Sequence, residues 1–124
     1  MKAIILAAGI GSRIHPLTDN CPKSLLKIYD KTILEMMISH IQDCHINDII
    51  FVTGYLEEQI KEYVNINFPD LKTYFVTNEK YAETNTGFSL LLAKDFVENS
   101  DFIKFDADVV FDKEILKKLI EYPY

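Results

Sequence analysis

The sequence predicts an α/β fold with a doubly wound, mostly parallel sheet that carries helices on both faces. One observation is that short apolar runs, typical of buried strands, alternate with helix-type patterns along the chain. A second is that 124 residues, 48% of them hydrophobic and 26% charged, suit one compact domain. Strands that alternate with helices pair in parallel through crossover connections.

The first half of the chain supplies three predicted strands and one helix. Residues 2–8, KAIILAA, form a continuous apolar run. Residues 25–29 predict a weaker strand that ends in a turn at residues 30–31. Thr32 and Glu35 have capping-box spacing, and the apolar spacing that follows predicts a helix to about residue 44. Residues 48–53, DIIFVT, predict a buried strand that stops before Gly54.

The second half continues the alternation to its end. Apolar residues between 56 and 64 predict a helix, and residues 73–77 predict a strand. A polar loop at residues 78–86 precedes a second helical stripe made by Phe88, Leu91, Leu92 and Phe96. Residues 102–105 predict the last strand, and a helix capped by Asp112 follows, with an apolar stripe that includes Ile115, Leu116, Leu119 and Ile120. Residues 1–124 contain no repeat or linker and form one predicted domain.

Charge and composition exclude several function classes. The net charge of −6 and the isoelectric point near 5.0 argue against a nucleic-acid or anionic-membrane partner. No apolar run approaches the roughly 18 residues that span a membrane, and the N-terminus lacks a cleavage-site pattern. Cys21 and Cys44 are far apart and outside any C-x-x-C motif, so we expect reduced thiols in a cytoplasmic protein.

The unusual residues follow the predicted strands, where ligands bind in doubly wound sheets. Gly9 and Gly11 follow the first strand, the 78–86 loop follows the third long strand, and Asp106 and Asp108 follow the last. Because parallel strands end at one edge of the sheet, these segments are expected to meet there. The sequence therefore predicts a binding site at this edge.

The glycine-rich segment after the first strand has the composition of an anion-binding loop. Glycines let backbone N–H groups approach an anion closely. It matches neither G-x-G-x-x-G, because Ile14 occupies the third glycine position, nor a P-loop, because Lys23 follows Pro22. Arg13 is the single arginine beside twelve lysines, and its planar fork suits phosphate oxygens. Lys23 adds a second cation; a plain glycine turn and a surface lysine are the alternatives.

Asp106 and Asp108 form a second candidate site, one that could hold a metal ion. Carboxylates two residues apart at a strand end can hold Mg²⁺, which prefers oxygen ligands and keeps waters and substrate phosphates. Two solvated acids are the alternative. The spacing of His15, His40 and His45 matches no zinc set, and no Ser-His-Asp or Cys-His arrangement is indicated.

Several segments together resemble a known family. The opening "MKAIILAAGIGSRIHPLT…PKSLL" closely resembles the signature of nucleotidyltransferases that join an NTP to a sugar phosphate or alcohol phosphate. "VTGYLEEQI", "NEKYAETNTGFSLLLAKDF" and "FDADVVF" look most like the choline-phosphate cytidylyltransferase branch. "TNTGFSL" stands where hexose-1-phosphate enzymes usually have a Gly-Thr-Ala-like segment. The resemblance implies a Rossmann-like nucleotidyltransferase fold, of which residues 1–124 are the nucleotide-binding N-terminal part.

The resemblance also implies residue roles. Arg13 would be the catalytic arginine, and Lys23 the lysine near the α-phosphate. Asp108 would hold Mg²⁺, with Asp106 beside it. The residues implied to bind the nucleotide are Leu6, Ala7, Ala8, Gly9, Gly11 and Ser12, at the end of the first strand and in the loop after it, and Asn78, Thr84, Asn85 and Ser89 near the base.

The expected reaction joins an NTP, with CTP favoured, to a small phosphomonoester such as phosphocholine and releases pyrophosphate, with Mg²⁺ as cofactor. Three alternatives stay open: a sugar-1-phosphate nucleotidyltransferase, a non-catalytic nucleotide-binding module, and a glycosyltransferase that uses Asp-Ala-Asp as its metal motif. A homo-oligomer is compatible with the sequence, which leaves the oligomeric state open.

Overall fold

The computed structural model describes residues 1–11 and 15–122. No helix within these ranges is both long and apolar enough to cross a membrane. The alternation of strands and helices confirms the predicted fold class. In chain order the elements are β1 (Lys2–Ala7), a 3-10 helix (Lys23–Leu25), β2 (Lys27–Ile28), β3 (Lys31–Thr32), α1 (Ile33–Asp43), β4 (Asp48–Thr53), α2 (Glu57–Asn67), β5 (Lys72–Thr77), α3 (Thr86–Leu92), α4 (Lys94–Val97), β6 (Phe102–Asp106) and α5 (Lys113–Glu121).

The main sheet has four parallel strands in the order β5-β4-β1-β6. Ala3 of β1 is level with Ile49 of β4 on one side and with Ile103 of β6 on the other. The chain therefore moves outward from β1 to β4 and β5, and then places β6 on the opposite side of β1. Such a reversal opens a crevice at the carboxyl ends of the two strands that flank it. Here those strands are β1 and β6.

Helices cover both faces of this sheet. Ala3 and Ile5 point into one core with Phe51, whereas Ile4 and Leu6 point into the other, as the two-residue period of a strand requires. The first core is closed by α1, α2 and α5, and the second by α3 and α4. Thr32 begins α1 as predicted, because its side chain accepts a hydrogen bond from the Glu35 amide. These layers confirm the doubly wound arrangement.

The strand predicted at residues 25–29 is wrong in extent and position. Leu25 ends the 3-10 helix, and only Lys27–Ile28 pairs, antiparallel, with Lys31–Thr32 in a separate two-stranded hairpin. Tyr29 turns this hairpin in the left-handed region, with φ of 62°. Both residues of β2 are exposed, so no burial favours a longer strand.

The predictions of the two later helices and their apolar stripes are only partly correct. The stripe after the 78–86 loop is broken at Ala93, which separates α3 from α4, and Leu91 is 63% exposed. In α5 only Leu116 is fully inserted in the core, whereas Ile115 and Leu119 are more than half exposed. The described residues provide no surface opposite these exposed side chains, so spacing alone could not bury them.

Candidate functional site

A pocket of about 270 Å³ lies between the carboxyl ends of β1 and β6. It is called the β1–β6 pocket below. A second pocket of about 290 Å³, the loop pocket, lies beside the 78–86 loop. The two share Leu6, Gly9 and Thr86 in their walls, so they are adjacent compartments of one crevice. The β1–β6 pocket is further lined by Ala7, Gly11, Pro22, Lys23, Ser24, Asp106, Ala107 and Asp108.

A basic loop and an acidic strand end meet in the β1–β6 pocket. Lys23 Nζ lies 2.7 Å from Asp108 Oδ2, although the two residues are far apart in sequence. Both side chains are partly open to solvent. Asp106 pairs with Lys104, whose Nζ is 3.3 Å from Asp106 Oδ1. The structure therefore places the predicted cation and the two predicted carboxylates in the wall of the same pocket.

The loop after β1 needs glycine at one of its two glycine positions. Gly11 has φ of +72°, and a Cβ there would lie 2.9 Å from Thr18 Cγ2. The buried Thr18 hydroxyl donates to the Gly11 carbonyl at 2.9 Å and holds this turn closed. A Cβ on Gly9 would instead meet no atom within 4 Å, and Gly9 lines both pockets. The predicted site residues Ser12 and Arg13 lie outside the described residues.

Tyr55, just before α2, and Gln59, in α2, also hold this loop, and no sequence pattern indicated these two residues. The Tyr55 hydroxyl donates to the carbonyls of Thr18 and Asp19. Gln59 Nε2 donates to the Asn20 carbonyl at 2.9 Å. "VTGYLEEQI" entered the sequence analysis only as part of the family resemblance. No local pattern shows that two of its side chains reach about 36 residues back along the chain.

The 78–86 loop is built around the buried amide of Asn78. Its Nδ2 donates to Thr84 Oγ1 and to Ser89 Oγ, both at 3.0 Å, and its Oδ1 accepts from the Lys80 amide. Asn85 caps α3, because its Oδ1 accepts from the Phe88 amide. All four predicted base-region residues line the loop pocket, together with Tyr81, which the sequence reasoning missed. Asn78 lies there mainly as the framework that holds Thr84 and Ser89.

The described part of the crevice holds carboxylates, amides and hydroxyls more than reactive nucleophiles. Burial raises the pKa of the Cys21 thiol, which donates to the Pro22 carbonyl, so it stays protonated at neutral pH. His15 Nδ1 lies 2.6 Å from Asp19 Oδ1 on the surface. Within residues 1–11 and 15–122, no group of three His, Cys, Asp or Glu side chains is arranged to hold a metal ion. Any ion at Asp106 and Asp108 would need further ligands from water or substrate.

Comparison with known proteins assigns this chain to a family. The sequence profile described as nucleotidyl transferase matches residues 2–122. The chain belongs to the nucleotidyl transferase family. Choline-phosphate cytidylyltransferase of Streptococcus pneumoniae is 41% identical over 120 residues, which are 94% of this chain and 48% of that protein. CTP:phosphoglutamine cytidylyltransferase of Campylobacter jejuni is 39% identical over 125 residues, 97% of this chain and 48% of that protein.

A solved structure agrees with the fold. The structure of the Streptococcus pneumoniae CTP:phosphocholine cytidylyltransferase superposes with a TM-score of 0.71 at 39% identity, covering 88% of this chain and 50% of that chain. The resemblance drawn from the N-terminal signature is thus confirmed at the level of family and fold. The nucleotidyl transferase chain described here spans about half the length of these relatives.

Proposed function

We propose that this chain is the nucleotide-binding part of a cytidylyltransferase that joins CTP to a small phosphomonoester. The observation that carries the proposal is the 2.7 Å approach of Lys23 to Asp108 in a glycine-lined pocket between β1 and β6. A triphosphate needs cations for its oxygens, and the magnesium that accompanies it needs carboxylates. Both kinds of group lie here within contact distance of each other.

The nucleotide would extend across both compartments of the crevice. The phosphates would occupy the β1–β6 pocket, next to Lys23 and the Gly9–Gly11 backbone, and the base would occupy the loop pocket. Tyr81 gives that compartment an aromatic wall, and Thr84, Asn85 and Ser89 give it polar groups. Gly9 belongs to both walls, so a ligand that spans the two compartments would pass directly beside it, and we expect an added side chain there to interfere.

The proposed chemistry needs no general base from the protein. A phosphomonoester has a second pKa of about 6, so its attacking oxygen is already deprotonated at neutral pH. That oxygen forms a bond to the α-phosphorus of CTP, and the bond from the α-phosphorus to the oxygen bridging to the β-phosphate breaks. The electron pair leaves with pyrophosphate. The remaining barrier is the repulsion between two polyanions, which fixed positive groups reduce.

Positive potential would come from the loop after β1. Lys23 would leave its ion pair with Asp108 to contact a phosphate oxygen. Arg13 would add a bidentate contact, as the family resemblance implies, and the glycine amides would donate to the same phosphates. The acidic net charge of the chain makes this local concentration of donors necessary for anion binding.

Asp108 and Asp106 would hold Mg²⁺ through carboxylate oxygens, and their position on the pocket wall fits that role. Each carboxylate is paired with a lysine in the structure, so a divalent cation would take the place of those lysines. Bound Mg²⁺ would neutralise phosphate charge and fix the α-phosphate for attack. Because the described residues offer only these two carboxylates, water and phosphate oxygens would have to supply the remaining ligands.

The names of the relatives support CTP as the nucleotide and a phosphorylated small molecule as the acceptor. One name specifies choline phosphate, and the other specifies phosphoglutamine. Phosphocholine is therefore the first acceptor to test. A sugar 1-phosphate is the alternative within the same chemistry.

The test is a panel of four NTPs against phosphocholine, phosphoglutamine and a sugar 1-phosphate, read by pyrophosphate release from the full-length protein. Titration calorimetry of this chain with CTP and Mg²⁺ is run in parallel. We expect CTP with one phosphomonoester to release pyrophosphate. Binding of CTP without release from any pair would favour a non-catalytic nucleotide-binding module. Transfer from a nucleotide sugar instead would favour a glycosyltransferase.

A further inference from the structure

We propose that Tyr55 is a positioning residue that holds the two loops of the crevice in their ligand-binding arrangement before the nucleotide arrives. The inference rests on the proposed function, because it assigns those loops to phosphates and base. Tyr55 is not part of either pocket wall, so it would act only through the residues it contacts.

The first loop is held through the Tyr55 hydroxyl. This one group donates to two successive carbonyls, those of Thr18 and Asp19, the latter at 3.1 Å. Thr18 in turn donates its own hydroxyl to the Gly11 carbonyl, and Gly11 lines the β1–β6 pocket. The Tyr55 amide also donates to the Ala8 carbonyl at 3.3 Å, directly after β1. Tyr55 thus contacts the segment at Ala8 through its backbone and at Thr18 and Asp19 through its side chain.

The second loop is held through the Tyr55 ring. The rings of Tyr55 and Tyr81 are tilted by 57°, with centroids 6.1 Å apart, and Tyr81 lines the loop pocket. The neighbouring Gly54 allows this close packing, because a Cβ there would lie 2.8 Å from Tyr81 Cβ and 3.0 Å from the Asn78 carbonyl oxygen. The hydroxyl and the ring of one side chain therefore contact the two loops separately.

This separation makes the proposal testable by substitution. Tyr55→Phe removes the hydroxyl and keeps the ring, so it would free the loop after β1 and leave Tyr81 in place. Tyr55→Leu removes both contacts. Loss of a preformed loop weakens binding because the ligand must then order it. Loss of the hydroxyl should therefore weaken the binding of ligands that carry a triphosphate. Loss of the ring as well should also weaken the binding of the base.

The experiment compares Tyr55→Phe with Tyr63→Phe in this chain. Tyr63 lies on α2 and accepts a hydrogen bond from Thr32 at 2.9 Å, away from both pockets, so it is a matched control for the loss of one phenol. Affinities for CTP and CMP are measured with Mg²⁺ by calorimetry, and amide hydrogen exchange of the ligand-free protein is followed at residues 8–20. Melting temperatures show whether either variant is generally destabilised.

We expect Tyr55→Phe to weaken CTP binding about fivefold, CMP binding about twofold or less, and to speed exchange at residues 8–20. Tyr63→Phe should leave all three readouts unchanged. Tyr55→Leu should weaken both ligands. If Tyr55→Phe binds CTP within a factor of about two of the unsubstituted chain, or if its exchange is unchanged, the positioning role is overturned.

Two further results separate this inference from the proposed function. If the unsubstituted chain binds no nucleotide, the proposed function fails, while exchange at residues 8–20 still decides whether Tyr55 holds the loop. If Tyr55→Phe unfolds, Gln59→Ala replaces it, because that exposed side chain holds the Asn20 carbonyl of the same segment. Gln59→Ala must then speed exchange at residues 8–20 and weaken CTP binding, and unchanged values would overturn the inference.

Discussion

At the residue scale, the two glycines after β1 have opposite requirements. Gly11 is needed by the loop itself, since its φ is positive and Thr18 fills the space beside it. Gly9 has open space where a side chain would be, and the residue lines both pockets. A substitution of Gly11 therefore tests the folding of the loop, and a substitution of Gly9 tests the binding of the ligand.

This contrast gives a paired prediction. Gly11→Ala should lower the free energy of unfolding by about 1–2 kcal/mol, because an alanine is strained at this φ. Gly9→Ala should change it by less than about 0.5 kcal/mol and yet weaken CTP binding severalfold. Urea denaturation and calorimetry measure the two effects. A Gly9→Ala variant that binds CTP normally would place the nucleotide elsewhere.

Arg13 and Lys23 are expected to act on the reacting phosphates and not on stability. In the full-length protein, Arg13→Ala and Lys23→Ala should each lower turnover about 10²-fold or more, as loss of a fixed charge stabiliser does. Lys31→Ala, at the exposed first residue of the hairpin strand β3, is the control and should keep full activity. Pyrophosphate release under saturating substrates is the readout. Near-normal turnover in the Arg13 variant would remove that residue from the mechanism.

At the scale of elements, the conformation of the 78–86 loop depends mainly on one side chain, that of Asn78. Asn78 is 1% exposed and makes three hydrogen bonds through its amide group. Asn85 makes one, as the cap of the seven-residue helix α3. The loop should therefore tolerate loss of the cap better than loss of the buried amide.

We expect Asn78→Ala to lower the free energy of unfolding by at least about 2 kcal/mol, because it empties a buried site and takes the hydrogen-bond donor from the buried Ser89 hydroxyl. Asn85→Ala should cost about 1 kcal/mol, as loss of an N-cap does. Both are measured by urea denaturation with CTP absent. Equal effects of the two substitutions would contradict the framework role of Asn78.

The elements also show where sequence reasoning works and where it stops. The long strands were predictable because apolar runs such as residues 2–8 need cover on both faces, and Thr32 and Asp112 cap their helices as expected. The order of those strands then placed Lys23 and Asp108 at one edge. The Tyr55 contacts with Thr18 were not predictable, because they depend on how α2 packs beside the loop. The break at Ala93 and the exposed Ile115 likewise depend on which surfaces lie opposite.

At the scale of the whole molecule, the chain combines a negative net charge with the proposed site for a polyanion. Its net charge of −6 opposes nucleotide binding at a distance, so the positive groups must be concentrated where the phosphates lie. Several apolar side chains after β6 and on α5 are left exposed among the described residues, including Val109, Val110, Ile115 and Leu119. The relatives are about twice as long as this chain, so catalytic activity should be measured on the full-length protein.

The most direct measurement is a crystal structure of this chain with CTP and Mg²⁺. The account predicts the triphosphate between the carboxyl ends of β1 and β6, with Lys23 turned from Asp108 to a phosphate oxygen and the carboxylates of Asp108 and Asp106 on the metal. The cytosine would lie against Tyr81 in the loop pocket. A nucleotide bound away from this crevice, or an Asp108 that keeps its ion pair with Lys23 while CTP and metal are bound, would contradict it.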